Sequence, residues 1–180
     1  NIEWTWTEKI DGTNIRVMWD GETVKFGGKT DNASIPSHLV NELNAMFTDY
    51  KMKDVFRNSD DNNETKICLY GEGYGVKIQK GGNYIPDKAS FILFDVKIGN
   101  WWIKRCDLVE IAERLGISVV PEIGSGTLME AVELAMNGFK STISQNKDYD
   151  AEGIIMKPST ELLDRSGKRI VAKIKHRDFM

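Results

Sequence analysis

The chain has 180 residues, of which 41% are hydrophobic and 28% charged, and its net charge is −3. This suits a single domain over residues 1–180 with a sizeable core, and any nucleic-acid partner must be held by a local basic patch. No apolar run reaches the roughly 18 residues of a membrane span, and no charged-then-apolar leader opens the chain. The two cysteines, Cys68 and Cys106, cannot frame a disulfide scaffold or a four-thiolate zinc site, so they read as thiols in a reducing compartment, the cytoplasm.

Residues 3–9 read as a strand with Trp4 and Trp6 on one face. Residues 15–19 and 23–26 flank Asp20-Gly21-Glu22, a hairpin signal. Residues 27–32 are rich in turn formers. Pro36 then opens one predicted helix to about residue 57, with Leu39, Leu43, Met46 and Phe47 on its buried stripe. Residues 57–64, rich in Asp and Asn, read as a surface loop. Residues 66–70 and 91–98 are predicted strands, and Gly99-Asn100 turns the second into Trp101-Trp102-Ile103. Two helices follow, with capping boxes at Asp107/Glu110 and Thr127/Glu130. Residues 154–157 and 169–175 form the last strands. Strands in hairpins and helices in blocks predict an α+β fold with antiparallel sheets and packed helices.

Four islands carry candidate chemistry. Lys9 lies between a polar strand end and the tight turn Asp11-Gly12, as a covalent nucleophile would. Attack on phosphorus needs a neutral amine, whereas a free lysine has a pKa of about 10.4. Lys173 and Lys175, two apart on one strand face, could supply positive charge that favours the neutral form, bind a triphosphate and neutralise its α-phosphate. Glu152, at a strand start, could hold Mg²⁺ that bridges phosphates. Glu72, between Gly71 and Gly73, could accept a bond from a ribose hydroxyl. Phe91 and Phe94 offer rings for a purine. Taken singly, each is more simply a surface charge or a core aromatic; their order along the chain is what joins them. The glycines at 71–75 and 124–126 lack the lysine of a phosphate loop, and His38 and His176 have no metal-ligand spacing.

Lys9-Ile10-Asp11-Gly12, Tyr70–Gly73, Phe91–Asp95, Glu152–Lys157 and Lys173–Lys175 together resemble, in order, the motifs of the covalent nucleotidyltransferases: RNA ligases, DNA ligases and mRNA capping enzymes. Lys9 to Asn14 is most similar to the second type of ATP-dependent RNA ligases, mainly phage and microbial. DNA ligases usually place an arginine two residues after the glycine, where Asn14 stands, and Arg16 comes two places later. Glu152-Gly153 matches ligases, where capping enzymes usually carry Asp-Gly. The resemblance implies the nucleotidyltransferase fold and an adenylyltransferase domain that lacks its natural flanking segments. It implies ATP and Mg²⁺ or Mn²⁺ as cofactors, RNA 5′-phosphate and 3′-hydroxyl ends as partners, and a monomer away from membranes. It further implies that Lys9 bears AMP and Glu8 helps bind adenine, with Asn14 near the phosphates in sealing. Phe94 would stack on adenine with support from Asp95, Glu72 would meet the ribose, Glu152 the metal, and Lys173 and Lys175 the α-phosphate. Lys29 would replace the family's arginine near ribose and phosphate, although a lysine lacks the bidentate fork. A basic run, Arg165, Lys168, Arg169 and Arg177, could contact nucleic-acid phosphates. The alternatives are a DNA ligase, a capping-type enzyme, or a binding module without catalysis.

Overall fold

A computed structural model describes residues 2–57 and 66–180. The predicted loop 57–64 lies outside the described residues apart from exposed Arg57. The strands are β1 Trp4–Lys9, β2 Thr13–Trp19, β3 Val24–Gly27, β4 Ile67–Gly75 and β5 Ala89–Ile98. They continue with β6 Trp101–Trp102, β7 Ser118–Val119, β8 Glu122–Gly126, β9 Gly153–Pro158 and β10 Ala172–Lys175. The helices are α1 Ser37–Met46, α2 Asp49–Val55, α3 Arg105–Leu115 and α4 Leu128–Asn137. The chain forms two compact units, one of Gly12–Val119 and one of the residues up to Asp11 with Val120–Met180. The α+β class with antiparallel sheets is borne out.

In the unit Gly12–Val119, the sheet runs β3-β2-β4-β5-β6, and β7 joins β5 in parallel. Alternation on β2 sends Ile15, Val17 and Trp19 into the core and leaves Asn14, Arg16 and Met18 on the opposite face. Leu39 and Leu43 of α1, Met52 of α2 and Leu108, Ala112 and Leu115 of α3 cover the core side. Phe91 is only 1% exposed. It meets Phe47 edge-on with ring centroids 5.2 Å apart, so it is a core residue.

Three local differences from the sequence reading have plain causes. The single predicted helix after Pro36 is two helices, broken where Thr48 turns extended (ψ 153°) and its hydroxyl accepts from the backbone N–H of Lys51 at 3.2 Å. Phe47 stays buried through the break, which is why the apolar period runs on. Strand β4 runs five residues past Tyr70 because its glycines admit close neighbours. A Cβ on Gly73 would lie 2.4 Å from the Leu39 side chain, and one on Gly71 would lie 2.2 Å from Phe91. Helix α3 starts at Arg105 with Lys104 before it and no side-chain cap, so Asp107 sits in the first turn instead of capping it. The Thr127/Glu130 capping box is formed, with the Thr127 N–H donating to Glu130 Oε2 at 2.7 Å.

In the other unit the order is β10-β9-β1-β8. Trp6, Ile154 and Met156 pack with Ala131 and Ala135 of α4, and Trp4 adds to the same cluster. The last strand is shorter than expected, beginning at Ala172, while Arg169 bridges back to Leu163.

Candidate active site

Strand β9 lies between β1 and β10, and Gly153 at its start is opposed by Lys9 on one side and Lys175 on the other. A Cβ at Gly153, where φ is +155°, would fall 2.0 Å from the carbonyl oxygen of Ile174. Only glycine therefore lets β10 approach this closely. The backbone of Glu152, one residue earlier, accepts from the N–H of His176 at 3.0 Å. Its side chain is gripped by both lysines: Lys9 Nζ donates to Oε2, and Lys175 Nζ donates to Oε1 at 2.7 Å. All three side chains are mostly buried, at 18%, 14% and 22% exposure for Lys9, Glu152 and Lys175. Burial pushes the Glu152 carboxyl up, but the bonds and charges of Lys175 and Lys9 outweigh it and hold the group below its usual range. Lys173 shares the strand face of Lys175 but is exposed, while Lys175 is partly buried.

Glu8, beside Lys9, is 1% exposed. Its carboxylate accepts from the Ser141 hydroxyl, from the Thr142 N–H at 2.9 Å and from the Thr142 hydroxyl at 2.7 Å. The segment that carries these partners is closed by Ser141 N–H to the Tyr149 carbonyl and Ala151 N–H to the Phe139 carbonyl, both at 2.9 Å. Neither Ser141 nor Thr142 stands out in the sequence, and a buried acid two residues past the tryptophan pair is the only hint that partners were needed.

In the unit Gly12–Val119, Asn14 on β2 lies directly opposite Glu72 on β4. Phe94 occupies a bulge of β5: Tyr70 pairs with Asp95 and Gly71 with Leu93, so Phe94 is the extra residue and is re-aimed by it. Asp95 is 7% exposed. Lys29 is exposed on the loop after β3. That loop is clamped by Arg16, whose Nε donates to the Gly28 carbonyl and whose Nη2 donates to Asp31, each at 2.7 Å. Arg16 comes too late for the DNA-ligase pattern, yet its place on the face of Asn14 is legible from the strand alternation.

Among the described residues, no three His, Cys, Asp or Glu gather as a metal-binding group, and no helix is long and apolar enough to cross a membrane. The basic run splits in surroundings: Arg165, Lys168 and Arg177 are exposed, and Arg169 is half-buried.

No curated protein matches the chain. Among solved structures, it is similar to the Naegleria gruberi RNA ligase with pyrophosphate, at 18% identity and a TM-score of 0.70, over 99% of this chain and 50% of that one. Mutants of that ligase, one with ATP and Mn and one with AMP and Mn, are each 17% identical, with TM-scores of 0.70 and 0.69, over 99% of this chain and 51% of theirs. The fold is thus that of these ligases, and the chain spans about half their length. Its sequence matches the RNA ligase family model over residues 2–175. The chain belongs to the RNA ligase family.

Proposed function

We propose that residues 1–180 act as the adenylyltransferase domain of an ATP-dependent RNA ligase in the cytoplasm, with Lys9 as the nucleophile. The observation that carries this reading is that Lys9 and Lys175 share the carboxylate of Glu152 in a mostly buried cluster. Lys9 Nζ gives up its proton to solvent and, as the neutral amine, exchanges its bond to Glu152 for the α-phosphorus of ATP, the remaining excess proton leaving as the new bond forms. An N–P bond forms, the bond to the leaving phosphate breaks, and pyrophosphate departs. Lys175 holds the other Glu152 oxygen meanwhile, so the carboxylate is not stranded, and its charge offsets the negative charge that builds on the phosphate. Lys173, exposed on the same strand face, joins Lys175 in binding the triphosphate and neutralising its α-phosphate. A 5′-phosphate of RNA then takes AMP from Lys9, and a 3′-hydroxyl attacks that activated end to form the phosphodiester and release AMP.

Glu152 would hold a divalent cation, Mg²⁺ or Mn²⁺. One protein carboxylate with phosphate oxygens and water fits the way Mg²⁺ is ordinarily bound beside nucleotides. When bound, the ion neutralises phosphate charge. Asn14, Glu72, Phe94 and Lys29 serve the nucleotide: amide to phosphate, carboxylate to ribose, ring to adenine, and ammonium to phosphate. Glu8, with its carboxylate committed to Ser141 and Thr142, contributes to the adenine site through the strand end it fixes.

The test is incubation with α-labelled ATP and Mg²⁺. An acid-labile, alkali-stable protein label is expected, with ATP preferred over GTP and RNA ends over DNA ends as acceptors. Equal labelling by GTP, or label that survives acid, would overturn the reading.

A further inference from the structure

On the face of the Gly12–Val119 sheet opposite its core, a groove of about 320 Å³ is lined by Arg16, Lys25, Lys66, Cys68, Tyr70 and Lys97 among others. Register explains its composition. Lys25, Met18, Cys68, Lys97 and Trp102 oppose one another in a single row across β3, β2, β4, β5 and β6. In the next row Arg16 lies across from Tyr70, and beyond it Asn14 lies across from Glu72. At the β6 end, the Tyr70 and Trp102 rings lie 5.3 Å apart and tilted by 44°, and Lys97 Nζ stands 5.4 Å from the Trp102 centroid.

Among the described residues, four cations line this groove against one carboxylate, Asp20, in a chain whose net charge is −3. Arg16 is engaged by Asp31, and Lys25 lies 4.0 Å from Asp20, which leaves Lys66 and Lys97 as the cations least offset by acids among the described residues. A groove with four cations and Tyr70 in its wall, and the Trp102 ring beside Tyr70, matches a chain of phosphates bearing flat bases. Duplex bases are stacked on each other and cannot offer their faces to the rings.

We infer that this groove binds single-stranded polynucleotide, with phosphates along Lys25, Lys66 and Lys97 and a base against Tyr70 and Trp102. The four residue steps from Cys68 to Glu72 span about 13 Å of strand, so a polynucleotide in the groove runs toward the row of Asn14 and Glu72. This extends the reading above, since it gives a ligase a place to hold the unpaired stretch of an RNA substrate.

The test is fluorescence anisotropy of a short labelled oligouridylate over a salt series. The proteins are wild type, Lys25→Glu/Lys66→Glu, and Trp102→Leu, with α-labelled ATP labelling measured in parallel. The charge-reversed pair, both exposed, is expected to weaken binding at least about fivefold and to lower the salt slope by about 1.4, the value for two single-strand phosphate contacts. Trp102→Leu is expected to weaken binding about fivefold with little change in salt slope, because a stacked ring carries no charge. If Trp102→Leu does not fold, the charge pair decides alone. Unchanged binding, equal affinity for a blunt duplex, or equal competition by polyglutamate would overturn the inference. Self-labelling should stay within about twofold in the variants. If wild type takes no label, the proposed function fails, while the anisotropy still decides the groove.

Discussion

Lys9 and Lys175 stand across from the same glycine, Gly153, on opposite sides of β9, and each ends on a different oxygen of the Glu152 carboxylate. A nucleophilic amine and a second cation are thereby held on one counter-charge, by residues brought together from the two ends of the sequence.

That arrangement has a pH signature. The folded Glu152 carboxyl is depressed from its ordinary 4.5: burial raises it, and the two lysines more than reverse the effect. A depressed acid stabilises the fold above its unfolded pKa and loses that contribution as pH falls through the folded value. Wild type is therefore expected to lose stability more steeply than Glu152→Gln as pH drops below about 4.5, in urea titrations at stepped pH. At neutral pH, Glu152→Gln should cost about 1–3 kcal/mol, because two mostly buried ammonium groups lose their partner. Parallel acid profiles for the two proteins would contradict this.

Gly153→Ala places a methyl 2.0 Å from the Ile174 carbonyl oxygen. Strand β10 must shift, carrying Lys175 away from Glu152. We expect a loss of about 1–3 kcal/mol together with a drop in self-labelling larger than the stability change explains, read by labelling at a temperature where the variant is fully folded. Wild-type labelling in a folded Gly153→Ala would show that the close approach of β10 does not matter.

Ser141→Ala/Thr142→Val removes both hydroxyl donors to the buried Glu8 carboxylate and leaves only the Thr142 N–H. An under-satisfied buried acid costs about 1–3 kcal/mol, and more if it remains charged. Glu8→Gln in the same background should recover part of the loss, since a neutral amide needs fewer partners. Thermal melts that show no recovery would assign the loss to packing instead.

The extent to which the sequence is legible follows from the range of the forces involved. Strands such as β2 announce themselves because alternation is local, and the hairpin at Asp20-Gly21 because its turn chemistry is local. The break at Thr48 hides because Phe47 keeps the apolar period while only the backbone turns. Lys175 and Lys173 look equivalent in sequence, and only the register of β10 on β9 brings Lys175 to Glu152. The re-aimed Phe94 requires a pairing shift between β4 and β5 that no local pattern encodes. The Ser141 and Thr142 partners of Glu8 come from the far part of the chain, where ordinary polar residues carry no signal of what they face.

The most direct measurement is intact-protein and peptide mass spectrometry after incubation with ATP and Mg²⁺. The account predicts a mass increment of one AMP, confined to the peptide containing Lys9, removed by pyrophosphate and absent from Lys9→Ala. An AMP increment on another lysine, or an undiminished increment in Lys9→Ala, would contradict it.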